Sequence, residues 1–198
     1  MLDVGPERTT ISNMKVNVSL STTLLALQLL ATPVQSACPD PPDHRAAESD
    51  LLDRLATARS APEGQNISNT LWQLYLDAPD AKAQALLDEA MALRRNGDLA
   101  ASITLLDDLI DYCPDYAEGW NQRAFSYYLG ANFEQALADL DRALALSPRH
   151  VPAMSGKALT LIGMGRDASA QKILRQALDL NPWLAERAYL VGPQGQDI

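Results

Sequence analysis

Two cysteines, two histidines and one run of carboxylates are the residues of this 198-residue chain whose types and spacing invite chemistry. Cys38 and Cys113 form no Cys-x-x-Cys unit, which argues against a thioredoxin-like redox role. Three readings remain for them. They bond to each other if the chain reaches an oxidising compartment, and this is the favoured reading. Cys38 alone is lipidated if Ser36-Ala37-Cys38 acts as a bacterial lipoprotein cleavage site, against which Gln35 stands where an aliphatic residue is expected. Cys113 is a small buried thiol beside Pro114, or the nucleophile of a thiol-dependent enzyme. His44 and His150 have no Cys, His or carboxylate partner at metal-ligand spacing, so no metal site is expected. Asp107, Asp108 and Asp111 recur at helical spacing and read as a solvated face. Arg94-Arg95 reads as a surface pair near a helix C-terminus rather than a phosphate site. A Gly-rich phosphate loop and a nucleophile elbow are both missing. The expectation is a chain without catalytic residues or cofactors.

The elements that hold these residues begin with a leader. Met14-Lys15 opens a stretch centred on Leu24-Leu25-Ala26-Leu27-Gln28-Leu29-Leu30-Ala31, and Thr32-Pro33-Val34-Gln35-Ser36-Ala37 closes it with small residues. A short charged region, a short apolar region and small residues at the end describe a secretory signal. Residues 1–37 are read as that signal, with Met14 as the start and cleavage after Ser36 or Ala37. The apolar run is too short to span a bilayer, which takes ~20 residues. The net charge of −9 argues against nucleic-acid partners and anionic membrane surfaces. Losing the leader removes Asp3, Glu7, Arg8 and Lys15 together, so the charge does not change.

Periodicity sets the fold class. Pro114, Pro148 and Pro182 are evenly spaced by 34 residues, and the residues around them repeat: Asp111-Tyr112-Cys113-Pro114, Ala145-Leu146-Ser147-Pro148, Asp179-Leu180-Asn181-Pro182. Upstream, Leu106/Leu109, Leu140/Ala143 and Leu174/Ala177 keep fixed offsets. A period of this length indicates an array of helix–turn–helix units, each too small to bury its own apolar face.

The middle unit carries Trp120, Ala124, Tyr127, Phe133, Ala136, Leu140, Ala143 and Pro148, and with these it resembles the tetratricopeptide repeat (TPR) family. The first unit keeps Leu86, Ala90, Leu93, Gly97, Leu99, Ser102, Leu106, Leu109 and Pro114. The third keeps Met154, Ala158, Leu161, Gly165, Ala170, Leu174, Ala177 and Pro182. The resemblance covers about half of the chain. It implies an all-α, right-handed solenoid of antiparallel helix pairs, running 81–96 with 99–112, 116–130 with 133–146 and 151–164 with 167–180. Before the three units of 80–182 come a Pro-rich tether at 38–45 and helices within 46–79. These helices are read as a degenerate fourth pair with a one-residue slip, or as an unrelated helical cap. Residues 183–198 are read as a capping helix and a mobile tail.

The resemblance also implies a concave surface lined by the first helices and holding a partner peptide or helix. By register its inward residues are Leu87, Met91 and Arg94, then Asn121, Phe125 and Tyr128, then Ser155, Leu159 and Ile162; the alternative is that the N-terminal helices fold across the groove and bury several of them. One branch of the family clamps a chaperone's C-terminal carboxylate with Lys and Asn. Here Leu87, Met91, Pro152 and Gly156 stand at those positions, so that function is not carried over. Glu89 and Arg123, equivalent in consecutive first helices, are expected to form an ion pair. The function expected is an exported, non-catalytic adaptor in the bacterial periplasm that binds another protein. The alternatives are an envelope subunit lipid-anchored through Cys38 and a thiol-dependent enzyme subunit using Cys113.

Overall fold

The computed structural model describes residues 37–191, together with Met1, Leu2 and Gly5. The signal read at 1–37 lies almost wholly outside the described residues, as does the tail beyond Val191. Two compact units are separated, residues 1–35 and 36–198, and everything below concerns the second. Its described residues hold eight α-helices and no strand: α1 (Arg45–Thr57), α2 (Ala61–Tyr75), α3 (Ala81–Arg95), α4 (Leu99–Tyr112), α5 (Ala117–Leu129), α6 (Phe133–Leu146), α7 (Val151–Gly163) and α8 (Asp167–Leu180). A 3-10 helix, Ala185–Tyr189, follows α8. The fold is an all-α helical-repeat solenoid, and each repeat is one of the pairs α3–α4, α5–α6 and α7–α8.

Each pair closes because its residues at the contact are small. Ala90, Ala124 and Ala158 are buried where the first helix of a pair approaches the second, and Leu106, Leu140 and Leu174 are buried between helices. Side chains of Asp80 and Asp98 cap α3 and α4 by accepting the amides of Ala83 (2.8 Å) and Ala101 (3.0 Å). The second helices all end two residues before the repeating proline, which cannot continue them.

The turn inside each pair repeats as well. Gly97, Ala131 and Gly165 lie at φ 86°, 57° and 69°, in the left-handed region. The next amide then reaches back to a carbonyl of the first helix: Asp98 to Leu93 (3.0 Å), Asn132 to Tyr127 (2.9 Å) and Arg166 to Leu161 (2.8 Å). This is the glycine-terminated helix end, and the middle repeat builds it without glycine.

The N-terminal pair departs from the fourth-repeat reading. It does not continue the stack beyond α3. Its apolar side, Leu51, Leu52, Leu55, Ile67, Leu71 and Tyr75, packs with Val151, Leu180, Trp183 and Leu184 at the far end of the array. The reason lies in side-chain size. Leu55 stands 35 residues before Ala90, the slipped equivalent of the small contact residue, so α1 cannot close on α2 as the repeats close. The pair instead covers the end of the third repeat. Trp183 Nε1 donates to the Leu55 carbonyl (3.1 Å), and Asn181 Nδ2 donates to Ser68 Oγ (3.0 Å). The indole sits so close over Gly64 that a Cβ there would overlap the Trp183 ring.

Cys38 and Cys113 are disulfide-bonded, with Cα atoms 5.2 Å apart, fastening the tether to the end of α4. Closing a loop of 75 residues stabilises the fold by up to ~4 kcal/mol in the chain-entropy account. The ion pair expected between Glu89 and Arg123 is replaced by a different one. Arg123 donates to both carboxylate oxygens of Asp139 (2.8 and 2.7 Å) and to Asp107 (2.7 Å), locking α5 to α6 and α4.

Ala131 is exposed, so its methyl adds left-handed strain and no packing. Ala131→Gly relieves strain of ~1–2 kcal/mol against ~0.4–1 kcal/mol of added unfolded-state freedom. A net gain of ~0.5–1 kcal/mol is expected in chemical denaturation; a loss of stability would contradict the turn geometry.

Candidate functional site

Because the N-terminal pair crosses to α7 and α8, α2 becomes one wall of the concave surface. Between α2 and the first helices of the repeats lies a cavity of about 360 Å³. Leu71, Trp72 and Tyr75 face it from α2, Asn121, Phe125 and Tyr128 from α5, and Val151, Ser155 and Leu159 from α7, with Arg94 of α3 also in the lining. The walls are mostly apolar, and Phe125, 46% exposed, and Trp72, 39% exposed, keep the site open to solvent. Apolar walls with a few polar groups are the usual make-up of a ligand-binding concavity.

A polar network is buried beside the cavity. Glu118, in the first turn of α5, is 1% exposed. The helix N-terminus favours its charge there. Its carboxylate accepts Asn121 Nδ2 (3.0 Å) and Gln122 Nε2. His150, also 1% exposed, faces it with Nε2 at 2.9 Å from Glu118 Oε2. His150 Nδ1 accepts the Ala153 amide (3.2 Å), which caps α7 and puts the ring proton on Nε2. The His150 ring stacks on Tyr75 with centroids 4.0 Å apart. The Tyr75 hydroxyl donates to Glu48 Oε1 (2.8 Å), and burial together with that carboxylate raises the phenol well above its ordinary pKa. A chain of polar contacts thus runs from α1 through α2 to α5 and α7, and it holds α2 at its place over the groove.

Arg94 forms the other end of this network. Its guanidinium donates to Gln122 Oε1 (2.5 Å) and to the Gln122 carbonyl (3.3 Å), and lies 4.6 Å from the centre of the Phe125 ring. Burial lowers its pKa to about 10, with Glu118 opposing the shift, so it remains a cation at neutral pH.

Six of the residues expected to line a groove do so together: Arg94, Asn121, Phe125, Tyr128, Ser155 and Leu159. Leu87 and Met91 are corrected to core residues, buried with Ala83, Leu106 and Leu109 inside the first repeat. They share one face of α3 with Arg94, but Leu76 and Ala78, in the segment between α2 and α3, and Tyr116 pack into the same cluster and close that part of the face. Ile162 is half-buried outside the cavity lining. The surface pair expected at Arg94-Arg95 splits: Arg94 is drawn inward to Gln122 and Phe125, and Arg95 alone is exposed. Sequence reasoning left open whether the N-terminal helices fold across the groove, and it missed the Glu118–His150 contact. Helical periodicity marks Ile67, Leu71 and Tyr75 as one apolar face but says nothing of what that face meets. Among the described residues no group of three or more His, Cys, Asp or Glu is placed to hold a metal ion, and no helix is long and apolar enough to cross a membrane.

Tetratricopeptide repeat family models match residues 84–116 and 131–189. A TPR repeat-containing protein of Rhizobium etli is 31% identical over 135 residues, 67% of this chain and 65% of that protein. The chain is a tetratricopeptide repeat protein. It spans about two thirds of the length of that relative. Solved TPR structures share the fold: the first TPR of Spaghetti (RPAP3), bound to the HSP90 peptide SRMEEVD, superimposes with a TM-score of 0.54 at 22% identity, covering 56% of this chain and 88% of that one. The O-GlcNAc transferase of Thermobaculum terrenum gives a TM-score of 0.51 at 28% identity, over 55% of this chain and 21% of the transferase.

In this TPR protein the groove depends on Glu118, which accepts two buried amide donors, Asn121 Nδ2 and Gln122 Nε2, and lies against His150. Glu118→Ala leaves Asn121 and Gln122 without their acceptor and His150 facing an empty position, and is expected to cost ~1–3 kcal/mol in chemical denaturation. Glu118→Gln, which keeps an acceptor, should cost less. A loss under ~1 kcal/mol for the alanine variant would mean that the network does not hold the fold.

Proposed function

We propose that this chain is a non-catalytic scaffold that binds a segment of another protein in its half-covered concave groove. The observation that carries the reading is the open cavity between α2 and the first helices, with Phe125 and Trp72 partly exposed over apolar walls. Aromatic residues at the centre of a groove supply large contact areas and commonly dominate binding. The peptide held by the Spaghetti TPR supports a concave face used for peptide binding. The peptide's acidic tail is not carried over, since Leu87, Met91, Pro152 and Gly156 occupy the clamp positions.

The leader read at 1–37 supports export, and a disulfide between Cys38 and Cys113 suits an oxidising compartment such as the bacterial periplasm. The same bond takes up the sulfur that a Cys113 nucleophile or a lipidated Cys38 would need, and weakens both alternatives.

Affinity capture from a bacterial envelope extract tests the reading. Phe125 is exposed, so Phe125→Ala should leave folding intact and weaken partner capture about tenfold or more, ~1.4 kcal/mol. Unchanged capture by that variant would place the binding surface outside the groove.

A further inference from the structure

The pair α1–α2 stands on the first repeat with both feet and reaches the end of the third with its tip. At the tip, Trp183 covers Gly64 and donates to the Leu55 carbonyl, and Asn181 donates to Ser68. At the foot of α2, Leu76 and Ala78 pack into the core of the first repeat, and the Tyr116 hydroxyl donates to the Tyr75 carbonyl (2.9 Å). The foot of α1 is tied differently. Its tether is bonded to the end of α4 through Cys38 and Cys113. Pro39, Pro41 and Pro42 have no amide to donate. The charged contacts nearby lie at the surface: Asp43 is turned back onto Arg45, and His44 Nε2 is 2.8 Å from Asp77 Oδ2. Surface pairs of this kind hold little, so a covalent bond carries that foot. In an array whose repeats touch their neighbours alone, α1 and α2 form a strut between the two ends.

We propose that the Cys38–Cys113 bond is a redox latch on the groove. Closed, it pins the foot of α1 and keeps the α2 wall in place; opened by a dithiol reductant, it frees α1, and the wall loosens with it. Cys113 is buried and Cys38 half-buried, so the reductant reaches Cys38 Sγ. One thiolate of the dithiol attacks that sulfur, the S–S bond breaks, and Cys113 leaves as a thiolate that takes up a proton. The second thiol of the reductant then attacks the mixed disulfide and releases Cys38 as a thiol. The dithiol ends as a cyclic disulfide and has supplied both electrons. With the bond closed, α1 opens as a loop pinned at Cys38 and at α2. With the bond open, the chain before α2 is a free end and gains more freedom on opening. Once α1 leaves, α2 loses the cover of Leu51, Leu52 and Leu55, and the Trp183 indole loses its acceptor. The α2 foot stays on the first repeat through Leu76 and Ala78.

The test is hydrogen exchange followed by NMR on the oxidised chain, on the same chain reduced with dithiothreitol, and on Cys38→Ala, which leaves Cys113 as a small buried thiol. Dithiothreitol is expected to open the bond without denaturant. In the reduced chain the α1 amides should exchange at least about tenfold faster than in the oxidised chain. They should also exchange at least about tenfold faster than the α6 amides of the same reduced sample. The Trp183 indole N–H should follow α1, because Leu55 is its acceptor. Cys38→Ala should show the same pattern without reductant, and reoxidation of the reduced chain should restore the protection of α1. Exchange of α1 that does not change on reduction overturns the latch. So does a reduced chain in which α1 stays as protected as α6, since the bond would then act on the whole fold and not on the strut. A bond that resists excess dithiothreitol while the chain is folded overturns it as well.

Discussion

Trp183, the residue after the closing proline of the third repeat, sits over Gly64 of α2 with no room for a Cβ between them. Its indole N–H is spent on the Leu55 carbonyl of α1. This one side chain therefore binds the first two helices to the end of the last repeat. A stacked array leaves apolar surface uncovered at its ends and requires a cap. Here the cap for the C-terminal end is supplied from the N-terminus, and the chain crosses its own concave face to deliver it. The groove has a second wall for that reason alone.

The consequences reach the binding surface. With α2 in place, Tyr75 stacks on His150, and His150 in turn faces Glu118. Glu118 orients Asn121 and Gln122, and Gln122 holds Arg94 against Phe125. Groups that would be solvated on an open groove are instead packed and hydrogen-bonded in fixed positions. Preorganised polar groups of this kind give up less conformational freedom on binding than mobile surface side chains do.

The repeat architecture was legible because it is periodic. The three prolines, the alanines at Ala90, Ala124 and Ala158, and the leucines at Leu106, Leu140 and Leu174 recur at one spacing, and each recurrence marks the same contact. The pairing of Cys38 with Cys113 was legible from the export expected of residues 1–37 and a cysteine count. The N-terminal pair was legible only as two open readings, a degenerate repeat or a cap, because Leu71 and Pro79 imitate the repeat register while Leu55 breaks the size rule that stacking needs. Leu87 and Met91 were assigned to the groove from register alone, yet Leu76, Ala78 and Tyr116 pack into their cluster and make them core. Glu118 and His150 lie far apart in sequence and belong to no motif. Their meeting depends on the angle between repeats, which periodicity does not encode.

Closure of the groove by the N-terminal pair is most directly tested by amide hydrogen exchange on the parent chain and on Gly64→Leu. A leucine at that position cannot coexist with Trp183 over the helix. Segments that open independently of the rest exchange independently. The account predicts fast exchange throughout α1 and α2 in the variant and faster exchange at Asn121 and Ser155, with the amides of α4 and α6 still protected. Unchanged protection of α1 and α2, or equal loss of protection across all eight helices, would contradict it.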